Sequence, residues 1–264
     1  MLSPLGEIVR THDPDRFLTA LFAPADRRET LFALYAFNHE LARAREATSD
    51  ATLALIRLQW WREAVEGAVR RHPVADALRA QVAASALDRD ALLALVAGRE
   101  PETAPEIATL ADWRSYLVGS AGLLAGTAAR ALEADAASCA GARELGAAYG
   151  AAGVLRSIAA HARQGRCVLP ADVLAAYGLS PEAVVAAPAS AALVTVRRAL
   201  AAEARAWLRA APRPRFGRRA IAAALPGVLA ARDLRRDGAD QPRGLGDRLA
   251  VTFAGLHGRL PALR

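Results

Sequence analysis

The chain has 264 residues, 53% of them hydrophobic, with 14 Pro and 19 Gly. That is ample apolar material for a core, in one large domain or two small ones, and it excludes a disordered or collagen-like chain. The formal charge is +7, all 34 basic residues are Arg, and Ala supplies about a quarter of the sequence; Ala and Arg are strong helix formers, so helices are favoured over sheet.

In chain order, Asp13 before Pro14 forms an N-cap and first-position pair for a short helix over 14–22. Pro24 opens a longer helix carrying Leu31, Leu34, Tyr35 and Phe37 towards Glu46. Ser49 or Asp50 caps the next, over about 51–71, whose Leu55, Leu58, Trp61, Val65 and Val69 fall at helical spacing. Pro73 and Asp88 start two more. A long helix is predicted over 109–134 and a second over 136–164. Pro170, Pro181 and Pro188 punctuate shorter segments, and helices over 189–211, 218–236 and 244–260 finish the chain. Nothing alternates with period two, so no strand is expected. No linker, repeat or composition break divides the chain. Gly119, Gly122 and Gly126 fall in one long helix and Gly146, Gly150 and Gly153 in the next. Mid-helix Gly costs about 1 kcal/mol against Ala. Six such positions call for close helix approach or a cavity wall free of side chains.

Cys139 and Cys167 are far apart and lack metal-site spacing, which argues against a disulfide framework and structural zinc. Residues 1–10 have neither a basic head nor an apolar run. The longest uncharged stretch, 115–129, falls short of the roughly 20 residues a span requires. The expectation is a cytoplasmic chain that can sit peripherally on the inner membrane. The positive charge raises nucleic acid as a partner, but the arginines are spread along the sequence beside acids. The densest run, Arg213, Arg215, Arg218 and Arg219, accompanies no recognised binding motif, so nucleic acid is not expected. An anionic membrane surface is.

Two segments carry candidate chemistry, 35–46 and 153–170. With Leu34-Tyr35-Ala36-Phe37, Leu58-Gln59-Trp60-Trp61-Arg62, Tyr116 with Ala121-Gly122, Gly165-Arg166 with Leu169-Pro170, and Leu225-Pro226 with Leu229-Ala230, they form an ordered set. In these the sequence resembles the squalene/phytoene synthase family. The resemblance implies an all-α, single-domain helical isoprenoid-synthase-like bundle over 1–264, with a central cavity. It further implies that acids on two facing helices hold Mg²⁺ ions that grip substrate diphosphates and neutralise the leaving group. Carboxylates four apart share one helix face and can share metals.

The chain departs from that pattern at the acids. Ala42 and Arg43 stand at two adjacent acidic positions of the first motif, where only Glu46 remains acidic. Ser157 and His161 stand at the two acids of the second, while Arg156 and Arg166 match. Glu46 and Asp50 form a displaced acidic pair, unless Asp50 is simply a helix cap. Trp60 and Trp61 read as one core ring with the other at the boundary. The run 33–40 followed by 57–63 looks closer to the branch of mitochondrial complex I assembly factor 6 and its bacterial relatives than to active synthases. The resemblance therefore implies a protein without Mg²⁺ or a catalytic residue. It would act as an assembly or scaffold factor for a membrane-associated complex, or as a prenyl or lipid binder. Its ligand-binding candidates, at the former diphosphate site, are Tyr35, Asn38, His39, Arg43, Glu46, Tyr116, Arg156, Ser157, His161 and Arg166. The alternative is an active prenyl-diphosphate transferase with a rebuilt site. There Arg43, Arg156, Arg163 and Arg166 bind diphosphate through forked guanidinium contacts, and Mg²⁺ takes part only in that case.

Overall fold

The structure is a computed structural model and describes residues 2–48, 50–212 and 214–261. Short polar side chains and prolines set the helix starts. The Ser3 hydroxyl accepts from the Gly6 amide and opens α1 (Pro4–His12). Asp13 accepts from the Arg16 amide and opens α2 (Pro14–Ala20), and Pro24 precedes α3 (Ala25–Glu46). Asp50 accepts from the Thr52 and Leu53 amides at 2.7 and 3.2 Å and caps α4 (Ala51–Glu66); such a cap contributes about 1 kcal/mol. Next come α5 (Pro73–Ala83), α6 (Arg89–Ala97) and a 3₁₀ turn, Glu100–Thr103. A reciprocal Thr109–Asp112 capping box starts α7 (Leu110–Leu117), and a π-helical turn, Val118–Gly122, joins it to α8 (Leu123–Ala131). The remaining helices are α9 (Ala136–Arg156), α10 (Ile158–Arg163), α11 (Ala171–Ala176), α12 (Pro181–Ala186), α13 (Ala191–Ala210), α14 (Gly217–Ala224), α15 (Pro226–Arg235) and α16 (Leu245–His257). No strand occurs among the described residues; one isolated bridge pairs Ile107 with Pro170.

The central helix is α9, which packs on the π turn, α8, α13, α14 and α15. Its buried face is mostly Gly and Ala, and that explains the glycines. A Cβ on Gly146 would stand 2.6 Å from the Ala121 carbonyl oxygen, and one on Gly122 would stand 2.8 Å from that of Arg143. Gly150 makes a similarly close approach to Ala121, whereas Gly126 has room and Gly119 and Gly153 face open space. Trp61 is buried against Phe37, with Trp60 at the boundary edge-on to it.

Four expectations about elements are corrected. α1 carried no expected helix; its start rests on Ser3 and Pro4. The predicted 109–134 helix is interrupted by the π turn, where the Ser120 hydroxyl donates to the Tyr116 carbonyl at 2.6 Å. The predicted 136–164 helix breaks at Ser157, the C-cap of α9. The predicted 218–236 helix divides at Leu225, because Pro226 has no amide to continue the ladder. The cap proposed at Ser49 and the Arg213 of the basic run lie outside the described residues.

Gly146→Ala should cost about 1–3 kcal/mol through overpacking. Gly153→Ala, seven residues on in the same helix, should gain up to about 1 kcal/mol. Urea unfolding midpoints check the contrast; equal effects would mean that close packing is not what Gly146 supplies.

Candidate functional site

The interior between α3, α7 and α9 is occupied by a charged belt. On α3, Asn38 is buried and accepts from the Arg99 guanidinium at 2.6 Å. Arg99 also donates to Glu102 at 2.6 Å. The Tyr116 hydroxyl, from α7, donates to the same Glu102 oxygen at 2.8 Å. Arg166 lies 3.6 Å from the other oxygen, and the Glu102 side chain is only 6% exposed. Arg45 donates to the Glu102 carbonyl at 3.2 Å. The 3₁₀ turn thus threads a single carboxylate among Arg99, Arg166 and Tyr116. Gly98 permits this, since a side chain there would strike the Gly119 carbonyl of the π turn.

Burial alone would raise the Glu102 carboxyl. Arg99, Arg166 and the Tyr116 hydroxyl outweigh it and hold Glu102 below the usual carboxylate range. Burial and Glu102 together push the Tyr116 hydroxyl far up, so it remains a donor. His161 stands half-buried at the edge of this group. Burial and the Arg166 charge push it down to about 4 despite Glu102.

A second group adjoins the first. The Arg16 guanidinium lies 5.9 Å from the Tyr35 ring centroid and 4.9 Å from that of Tyr149, and it pairs with Asp13 at 2.6 Å. The Tyr149 hydroxyl donates to Asp15 at 2.9 Å. Arg243 bridges Asp15 and Asp233, each at 2.6 Å, and Arg156 reaches Asp233 at 3.3 Å and the Gln241 carbonyl at 3.1 Å. Arg16 is close enough to Arg99 for its charge to act on it.

The expected site residues therefore separate. Asn38, Tyr116, Arg166 and the flanking His161 gather around Glu102; Tyr35 and Arg156 belong to the second group. Ser157 sits at the break between α9 and α10. His39 stacks on His12 with ring centroids 4.1 Å apart, and burial, then His12, lowers its pKa. The remaining expected residues lie at the surface. Arg43 is 55% exposed and pairs with Glu40 at 3.3 Å on α3. Arg163 is exposed on α10. Glu46 is exposed while Asp50 caps α4, so they make no acidic pair. Sequence reasoning missed Arg99, Glu102, Arg16, Asp15, Tyr149, Asp233 and Arg243. The only local signal was the i,i+3 spacing of Arg99 and Glu102 around Pro101, after Gly98.

Mg²⁺ demands an octahedral oxygen shell, usually with carboxylates. The aligned positions offer one carboxylate, the exposed Glu46, beside Ala42, Arg43, Ser157 and His161. Among the described residues no three His, Cys, Asp or Glu side chains assemble as a metal-binding group. Glu102, Asp15 and Asp233 are each engaged by Arg. These residues do not fit Mg²⁺.

Removing Glu102 would strand buried cations, so Glu102→Ala should cost about 3–5 kcal/mol in urea unfolding; a loss under 1 kcal/mol would contradict the pairing. Because the Glu102 pKa is lowered on folding, its contribution is complete above the unfolded value of 4.5 and disappears as pH falls through the folded one. His161 titrates in a different window. Folding lowers it from 6.5 to about 4, so the unfolded chain binds more protons there and stability should fall as pH drops from 6.5 to 4. His161→Gln should flatten that decline; an unchanged profile would reject the assignment.

Residues 9–253 match the squalene/phytoene synthase family. Human NADH dehydrogenase (ubiquinone) complex I, assembly factor 6 is 30% identical over 186 residues, 67% of this chain and 55% of its own length. The Drosophila melanogaster homolog is 28% identical over 193 residues, with 67% and 57% covered. The chain thus spans about half the length of the curated relatives it matches. A ligand-bound crystal structure of a dehydrosqualene synthase superposes with TM-score 0.75 at 16% identity, over 96% of this chain and 94% of the other. Squalene synthase HpnC from Alicyclobacillus acidocaldarius superposes at 0.63 and 17% identity, over 97% and 94%. These two confirm the all-helical isoprenoid-synthase fold, and the match across the chain, with the motifs at 34–46, 58–62 and 153–170, makes this protein a member of the squalene/phytoene synthase family.

Proposed function

We propose that this chain is a non-catalytic member of the family. It works without Mg²⁺, as an assembly or scaffold factor for a membrane-associated respiratory complex of the complex I type. The observation that carries the reading is the engagement of Glu102 by Arg99, Arg166 and Tyr116. Prenyl transfer needs concentrated negative charge to hold divalent cations against a diphosphate. Here four of the five aligned acids are replaced, and the one buried carboxylate between α3 and α7 is held by the protein's own cations. The relatives named complex I assembly factor 6 supply the partner class. No helix among the described residues is long and apolar enough to cross a membrane, so the proposed place of action is the membrane surface.

Purified protein given farnesyl or geranylgeranyl diphosphate with Mg²⁺ should release pyrophosphate no faster than buffer. Multiple turnovers lost in Glu46→Gln would instead establish the prenyltransferase. Deleting the gene in its own host should lower NADH:quinone oxidoreductase activity in isolated membranes, with restoration by the intact gene; undiminished activity would contradict the assembly role.

A further inference from the structure

The last helix carries an apolar face that nothing among the described residues covers. Leu245, Leu249, Phe253 and Leu256 are 56–73% exposed. At 100° per residue they fall within about 80° of arc. The opposite face buries Asp247, Val251 and Ala254 against the domain. Asp247 is the one acid of α16, and Arg232 and Arg236 neutralise it on the inner side. The outer side therefore displays no carboxylate of this helix, and exposed Arg248 flanks the apolar stripe.

The C-terminal end of α16 meets a basic cleft. Gly258, left-handed, ends the helix, and Arg218 packs against it from the first turn of α14. The cleft is about 550 Å³ and is lined by Arg215, Arg218, His257 and Arg259, with Phe216 and Leu260, and by no Asp or Glu. Among the described residues Arg215, Arg218, Arg248 and Arg259 form no salt bridge. In the interior, by contrast, Arg99, Arg166 and Arg243 all have carboxylate partners.

We infer that α16 is a membrane-docking helix. It lies flat in the interface with Leu245, Leu249, Phe253 and Leu256 in the acyl region. Arg215, Arg218, Arg248 and Arg259 grip anionic lipid phosphates, which are drawn into the cleft at its end. An apolar stripe edged by uncompensated arginines is complementary to an anionic bilayer, whose headgroup charge lies just above its hydrocarbon. A lipid surface supplies a continuous sheet of negative charge, which suits four arginines spread along both the stripe and the cleft. This inference rests on the membrane-surface part of the reading above and is independent of whether the interior is catalytic.

The test is co-sedimentation of the full chain with phosphatidylcholine vesicles, with and without phosphatidylglycerol. Wild type should bind the anionic vesicles and lose binding at high salt. Leu249→Ser/Phe253→Ser and, separately, Arg215→Gln/Arg218→Gln should each weaken binding at least about tenfold. The control Leu53→Ser/Ile56→Ser, on exposed positions of α4, should not. Circular dichroism monitors folding. In Phe253→Trp, emission should shift blue on anionic vesicles and be quenched by brominated acyl chains. Equal binding by wild type and the α16 variants would overturn this surface while leaving a membrane role intact. No wild-type binding would overturn both. A solution dimer dispersed by Leu249→Ser/Phe253→Ser would overturn it too, since a second copy would then cover the face.

Discussion

A carboxylate taken out of water must be matched where it sits, or its burial costs several kcal/mol. Glu102 meets that demand with Arg99, Arg166 and the Tyr116 hydroxyl, and the interior is arranged around the match. Arg99 ties it to Asn38 on α3, Tyr116 ties it to α7, and Arg166 brings in the segment after α10. Arg45 holds the backbone of the same 3₁₀ turn through the Glu102 carbonyl. One side chain thus fixes the spacing of elements far apart in sequence.

The same match decides what the interior can do. Guanidinium groups suit phosphate oxygens as well as carboxylate oxygens, and here the protein fills them itself. The second group behaves alike: Arg243 spans Asp15 and Asp233, and Arg16 is shared by Asp13 and two tyrosine rings. Every buried acid in these two groups is met by at least one guanidinium, and Glu102 by two, whereas a diphosphate–metal site needs a surplus of acid before substrate arrives. Part of the positive surplus of the chain borders α16.

The fold class was legible because helical periodicity, proline punctuation and N-caps such as Asp13 and Asp50 are local properties. The glycines of α9 announced close approach for the same reason. Interruptions within helices were less legible. The π turn at Val118–Gly122 and the break at Ser157 depend on tertiary neighbours, and no proline marks them. At the site, aligned motifs named Asn38, Tyr116, Arg156 and Arg166, which lie in the two buried groups. They also named Arg43, which lies exposed beside Glu40 and apart from the two buried groups, because a motif position does not say which neighbours a side chain meets. Glu102 was invisible for another reason. A Pro-containing charged turn ordinarily lies in solvent, and only Arg166, 64 positions later, makes its burial sustainable.

The central claim is that Glu102 holds the cations of the interior to the exclusion of a metal–diphosphate complex. Its most direct test is a crystal structure of the chain grown with millimolar MgCl₂ and a non-hydrolysable prenyl thiodiphosphate. Glu102 should remain bound to Arg99, Arg166 and Tyr116, with no metal between α3 and α9. Magnesium ions bridging that space to the thiodiphosphate, with Glu102 displaced, would contradict it.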